Sequence, residues 1–291
     1  MTEPCDLPAV EARRLIGARK LSPVELLRSC RARADKVNHA VKALTATCWP
    51  RAEKEAKAAE RMVMSGDYLG PLHGLPLGVK DLDDAEGMPT TSGSPIFAKN
   101  YPKQDGIMVA SCRRAGAIVV GKTNVPEFGA GANTNNPVFG PTGNPFDPKR
   151  ICGGSSGGSA VALATSMLPL CTGSDTGGSL RIPAAFCGVV GVRGSPGLVP
   201  SERRGLGWTP LSVLGPMGRT TADASLMLSA IARSLRQSSH NPHARSCSAR
   251  FSSARASCVQ PRTALPDTAS SSAICVSRSL FCRCAKVCHS F

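Results

Sequence analysis

Three stretches of this chain carry residues suited to chemistry, and two of them are glycine–serine loops. One reads Gly173-Ser174-Asp175-Thr176-Gly177-Gly178-Ser179, followed by Leu180-Arg181-Ile182-Pro183. Successive backbone N–H groups of Thr176, Gly177, Gly178 and Ser179 are spaced to converge on one oxygen. Such donors stabilise the negative charge that develops when a carbonyl is attacked. The glycine pair removes Cβ atoms that would block a substrate. Ser179 stands where a helix is expected to begin, an exposed place for a nucleophile. A structural turn capped by Asp175 accounts for the same residues equally well. The other loop is Gly153-Gly154-Ser155-Ser156-Gly157-Gly158-Ser159. Alone it reads as a flexible linker, but Ala160-Val161-Ala162-Leu163-Ala164 follows directly and makes it a loop–helix junction. No Lys-Ser or Lys-Thr closes it, which excludes a Walker-type phosphate loop.

A serine nucleophile needs a base. Histidine is the usual one, and the supply is poor. His39 lies in a scaffold helix, His73 in a loop, and His240, His243 and His289 in a tail of different composition. Lys80 is the better candidate, because it ends the apolar run Leu75-Pro76-Leu77-Gly78-Val79. Burial disfavours the ammonium form and lowers a lysine's pKa. An amine neutral near about pH 7–8 then serves as a general base. The competing reading pairs Lys80 with Asp81 or Asp83 at a strand end. Before residue 233 no Cys/His cluster suggests a metal, and Cys152 reads as a packed small residue.

The elements that must position these groups follow from periodicity and punctuation. Short amphipathic helices are expected over 8–19, from Ser22-Pro23 to about Leu44, and over 50–64, with Ser22 as N-cap and Pro23 at the first helical position. From Gly70 the pattern changes to α/β. A short strand ends at Lys80, a helix covers 106–115, and Ala117-Ile118-Val119-Val120 reads as a buried strand. A helix over 160–168, a strand over 170–172 and a helical turn over 180–186 surround the two loops. A last helix over 220–232 has Thr221 as its cap. The expected organisation is a helical region over 1–69, an α/β core over 70–232 and a tail over 233–291.

The formal charge of +15 would suggest a polyanionic partner if it were spread over a folded body. About half of it sits in residues 233–291, which hold nine Arg or Lys against one acid, Asp267. That segment lacks aromatic interleaving, so its charge supports only non-specific, salt-sensitive contact with nucleic acid. Its Cys282, Cys284, Cys288 and His289 lack the paired spacing of a zinc site. No apolar run reaches the eighteen residues of a membrane span. The N-terminus has no stretch of signal-peptide type, and the odd total of thirteen Cys argues against a fully paired disulfide scaffold. The expectation is a cytoplasmic protein with reduced thiols before residue 233.

Taken together, GLPLGVKDLDD at 74–84, GGSSGGSAVALA at 153–164 and GSDTGGSLRIPAAFCGVVG at 173–191 resemble the amidase signature family. PLSVLGPMGRTTADASLMLSAIA at 210–232 is also similar to it. The resemblance runs from about residue 8 to 232 and departs from the family pattern at Gly194 and Leu198. It implies an α/β fold around a mixed sheet with surrounding helices, incomplete here because the family domain continues further. It implies a Ser–Ser–Lys triad with Ser179 as nucleophile, Ser155 as bridging residue after a cis Gly154–Ser155 bond, and Lys80 as base. Ser156 and Asp175 support the site, and Thr176 to Ser179 supply the oxyanion hole. The implied reaction hydrolyses a carboxylic amide without metal or organic cofactor. The implied partner is a small-molecule amide, with a homodimer left open and neither membrane nor specific nucleic-acid contact. The alternatives are a catalytically inactive truncated remnant, a non-specific nucleic-acid binder and a glutaminase-type component of an amidotransferase.

Residues 233–291 contain fourteen Ser and six Cys and show no helical or strand period. An exposed basic tail is one explanation, and translation in a shifted reading frame is the one we favour. Resequencing codons 225–240 and translating all three frames is expected to show apolar strands and glycine turns continuing in another frame. A confirmed frame with no such continuation elsewhere would refute this.

Overall fold

Helix α1, Ala9–Gly17, turns Ala9, Ala12 and Ile16 inward at helical spacing and leaves its charged positions outside. The structure is a computed structural model that describes residues 3–202 and 210–232. All of these belong to one unit, Met1–Ser234. Helix α2, Pro23–Val41, starts as the sequence predicts: the Ser22 hydroxyl accepts from the N–H groups of Val24 and Glu25, and Pro23 holds the first helical position. It stops short of Leu44. Lys42 adopts a left-handed conformation (φ 51°), and the Asn38 side chain accepts from the N–H groups of Ala43 and Leu44 while donating to the Leu44 carbonyl. The chain thus leaves the helix directly into strand β1, Leu44–Thr47. Helix α3, Trp49–Ser65, buries Ala52, Ala56, Ala59 and Val63 along one stripe.

The strands that follow form the sheet. They are β2 (Pro76–Lys80), β3 (Ile118–Thr123), β4 (Leu170–Asp175), β5 (Val190–Gly191) and β6 (Val213–Gly218). The order across the sheet is β1-β3-β2-β4-β6-β5. Pairs β2/β3 and β2/β4 are parallel, whereas β1/β3, β4/β6 and β5/β6 are antiparallel. The mixed sheet matches the expected α/β class. Within the first 69 residues, strand β1 joins the sheet through β3, and Ala9, Ala12 and Ile16 of α1 pack into its core.

Central strands β2 and β3 are buried along their whole length, as parallel strands covered on both faces must be. Alternate residues face two apolar clusters. Leu77, Val79 and Val119 pack with α1, with helix α4 (Ile107–Arg114) and with helix α7 (Thr221–Ile231). Ile118, Val120 and Cys171 pack with α3, helix α5 (Gly157–Ala164) and helix α6 (Arg181–Cys187). This two-residue period sends Lys80 to the face opposite Val79.

Helix α5 starts three residues earlier than its apolar run suggests. Gly158 lies so close to the backbone of Asn124 and Ala43 that a Cβ there would come within 2.2 Å of the Asn124 nitrogen. Gly157 and Gly158 are therefore the packed first turn of a helix. Strand β4 extends beyond Thr172 to Asp175, because β6 pairs with it from Leu170↔Gly218 to Asp175↔Val213. The cap of α7 is Thr220 and not Thr221. The Thr220 hydroxyl accepts from the Asp223 N–H, and the Asp223 carboxylate accepts from the Thr220 N–H. Buried Asp223 also accepts from the Val10 N–H at 3.0 Å and so ties α7 to α1.

Replacing Thr220 with Ala is expected to cost about 1 kcal/mol, and Asp223→Ala more, because it also orphans the Val10 N–H. Thr221→Ala at its exposed position should leave the urea midpoint unchanged. Equal losses at Thr220 and Thr221 would contradict this capping scheme.

Candidate active site

Lys80 ends β2 with no solvent exposure. Its Nζ lies 2.8 Å from Ser155 Oγ, 2.8 Å from Ser156 Oγ and 2.9 Å from Ser174 Oγ. Three elements meet there. β2 brings the lysine, the loop before α5 brings Ser155 and Ser156, and β4 brings Ser174. The Gly154–Ser155 peptide is cis. The Lys80 N–H donates to Thr172 Oγ1 at 2.8 Å, which fixes the strand end from which the side chain departs.

Burial pushes the Lys80 amine down to about 7, while the carboxylates of Asp83 and Asp175 push it back up. An ammonium would donate to all three hydroxyls. A neutral amine has two N–H groups and a lone pair, so one hydroxyl must then donate to it. The Ser156 hydroxyl donates to the Ser174 carbonyl at 3.3 Å. That leaves Ser155 or Ser174 as the proton donor to neutral Lys80.

The neighbouring loop is organised by Asp175. Its carboxylate accepts from the N–H groups of Gly178 (2.8 Å) and Leu180 (3.2 Å). It also pairs with Arg181 (2.9 Å) and Arg193 (3.0 Å). Burial raises its pKa, but Arg181 and the two N–H groups outweigh this and hold it at about 2. The Asp175 cap and the expected donor loop are therefore one structure. They compete for one group, since the Gly178 N–H already serves Asp175. The N–H groups of Thr176, Gly177 and Ser179 have no partner among the described residues. Thr176 and Gly177 are exposed. Gly178 has φ +125°, where a side chain would be strained and a Cβ would meet Ile182 at 2.7 Å.

Ser179 is half-buried, and its carbonyl accepts from the Ser156 N–H at 3.2 Å. The two glycine–serine loops are thus bonded to each other beside the lysine. Among the described residues no hydrogen bond joins the Ser179 hydroxyl to that of Ser155. His73 is elsewhere: its Nε2 lies 3.0 Å from the Ala59 carbonyl on α3. Among the described residues Lys80 forms no ion pair with Asp81, which instead lies 3.7 Å from buried Lys122. Cys152 is buried, its thiol pushed up to about 11 by burial. Among the described residues no group of three or more His, Cys, Asp or Glu is placed to hold a metal, and no helix is long and apolar enough to cross a membrane. The seven described cysteines are free.

Sequence reading missed Ser174, Thr172 and Arg193. The signal for the first two was alternation: Thr172 and Ser174 sit two apart on β4 and face β2 together. Arg193 had none, because it reaches Asp175 from 18 residues further along the chain.

The sequence matches the Amidase family over residues 25–272. The chain belongs to the amidase signature family. It is 43% identical over 224 residues to the A component of the glutamyl-tRNA(Gln) amidotransferase of Acidothermus cellulolyticus, covering 77% of this chain and 44% of that protein. It is 38% identical to an acylamidase of Rhodococcus erythropolis, covering 78% of this chain and 47% of the relative. The crystal structure of a bacterial aryl acylamidase of the amidase signature family superposes with a TM-score of 0.75 at 31% identity, covering 79% of this chain and 48% of that one. The chain spans about half the length of the relatives it matches. The expectations for residues 233–291 lie outside the described residues.

The carboxylate of Asp175 is held below its unfolded value of about 3.9, so it stabilises the fold above that pH and ceases to as pH falls toward 2. Asp175→Asn is expected to flatten the loss of stability between about pH 4 and 2, read by thermal unfolding. An identical acid limb in the variant would show that Asp175 is not the group responsible.

Proposed function

We propose that this chain carries the acyl-transfer centre of an enzyme that hydrolyses a carboxylic amide to a carboxylate and ammonia or an amine. The observation that carries the reading is the buried Lys80 amine at 2.8 Å from Ser155 Oγ, with the Ser179 turn bonded to the same loop. In this reading neutral Lys80 takes the proton of Ser155, and Ser155 takes that of Ser179 as Ser179 attacks the carbonyl carbon. The free N–H groups of Thr176, Gly177 and Ser179 stabilise the oxyanion. The relay then returns a proton to the leaving nitrogen, and water releases the acyl group by the same route. Ser156 holds the Ser179 turn and the lysine at once. Asp175, with Arg181 and Arg193, keeps the turn from collapsing.

A second reading has one observation in its favour. Several relatives of about 40% identity are A components of glutamyl-tRNA(Gln) amidotransferases. The same centre would then release ammonia from a glutamine amide to partner proteins. Ammonia release from free glutamine, compared with release from simple aliphatic and aryl amides, separates the two.

A fluorophosphonate probe should add once to the folded chain, and the adduct should vanish in Ser179→Ala on intact-mass analysis. Lys80→Ala should slow labelling at least about a hundredfold. In the native chain the labelling rate should climb as pH rises through about 7, because the basic amine must be populated. Labelling that persists in Ser179→Ala removes Ser179 from the role. A rate and pH profile unchanged by loss of Lys80 removes the lysine.

A further inference from the structure

The sequence offered Asp83 as an ion-pair partner of Lys80 at the strand end. The structure gives it a different connection. The chain turns back after β2, with the Asp83 N–H donating to the Lys80 carbonyl at 2.9 Å. The Asp83 carboxylate then accepts from Thr172 Oγ1 at 3.2 Å, and Thr172 Oγ1 in turn accepts from the Lys80 N–H at 2.8 Å. Lys80, Thr172 and Asp83 thus form a closed circuit at the end of β2. Asp83 also lines a cavity of about 110 Å³, together with Ser174, Asp84 and Glu202. Ser174 is also one of the three hydroxyls on the Lys80 amine, so cavity and amine share a wall.

A second buried lysine stands close by. Lys122 reaches the Asp83 backbone carbonyl and Thr90 Oγ1, and it lies 3.7 Å from the Asp81 carboxylate. Asp81 also accepts from the N–H and hydroxyl of Thr91. The charged groups acting on Lys80 are Asp83, on the turn after its own strand, and Asp175 at the end of β4. Around Asp83 they are Lys80, Lys122 from β3, and the neighbouring acids Asp84 and Glu202. Asp175 is bound directly to two arginines, so its charge is compensated away from Lys80. Asp83 has no arginine partner among the described ion pairs, and its field falls on the two lysines.

We propose that Asp83 is a positioning residue that sets the proton affinity of Lys80: its charge opposes the effect of burial on the amine, and its link through Thr172 holds the strand end that carries it. This rests on the reading of Lys80 as the base. Burial raises the Asp83 carboxyl to about 6 against the opposing charges of Lys122 and Lys80. The charge of the acid and the charge of the amine thus favour each other. Loss of the charge should make Lys80 a weaker base that is neutral at lower pH.

The test uses the full chain with ¹³C,¹⁵N-labelled lysine, following the Lys80 ¹³Cε resonance against pH, with its assignment confirmed by its absence in Lys80→Met. Asp83→Asn keeps an oxygen to accept from Thr172 and removes only the charge. Its Lys80 midpoint is expected to fall by about one pH unit, and Ser179 labelling at pH 6 to rise by up to about tenfold. The interaction is mutual, so a second measurement needs no Asp83 variant. In Lys80→Met the Asp83 carboxyl ¹³Cγ midpoint should rise. A Lys80 midpoint unmoved in Asp83→Asn, or an Asp83 midpoint unmoved in Lys80→Met, overturns the proposal. Absent labelling of Ser179 with a shifted lysine midpoint would instead count against the hydrolase reading and leave this one standing.

Discussion

The arrangement depends on one amine being kept out of water. A lysine side chain ending inside a protein is costly as an ammonium unless polar groups surround it. Here three hydroxyls from two elements converge on Lys80 Nζ within 2.9 Å. That convergence sets the demands on the fold. Lys80 must leave a strand covered on both faces, so β2 is central and apolar. Ser174 must stand beside it, so β4 is its parallel neighbour. Ser155 and Ser156 must come down from above, so the loop before α5 has to approach the sheet closely. The near contact of Gly158 with the Asn124 and Ala43 backbones is what permits that approach.

Asp175 supplies the second constraint, of opposite sign. It ends β4 one residue beyond Ser174, so the strand that delivers a hydroxyl to the lysine also starts the turn that delivers Ser179. Its carboxylate directs its lone pairs to two N–H groups of that turn and to two guanidinium groups. The turn is thereby shaped by a group that stays ionised down to about pH 2. The geometry of the turn's N–H groups would then be insensitive to pH over the range in which Lys80 and Asp83 titrate. The switching group and the shaping group are kept apart by their surroundings: hydrophobic burial for one, paired cations for the other.

Much of this was legible before any coordinates. Ser22-Pro23 announced a helix start, Leu75 to Lys80 a buried strand, and the two glycine–serine loops their own importance. What was not legible has physical causes. β6 contains Gly215, Pro216 and Gly218, residues that weaken any strand pattern; it forms because β4 offers it a full antiparallel ladder. Thr221 looks as good a cap as Thr220 until Asp223 completes the reciprocal pair. Gly157 and Gly158 read as loop because helix propensity disfavours glycine, and only the closeness of the neighbouring backbone shows why a larger residue would not fit. Arg193 and Ser174 act across the sheet, and a one-dimensional pattern carries no distance of that kind.

The space beside the lysine is small. A cavity of about 110 Å³ beside Ser174 and Asp83 is well below the roughly 300–1,000 Å³ that encloses an ordinary organic ligand. It suits water or a group of similar size. At Gly177 a Cβ would meet nothing within 4 Å, so its missing side chain is not explained by packing within the described residues. A shared fold and a shared set of polar groups do not by themselves name a substrate.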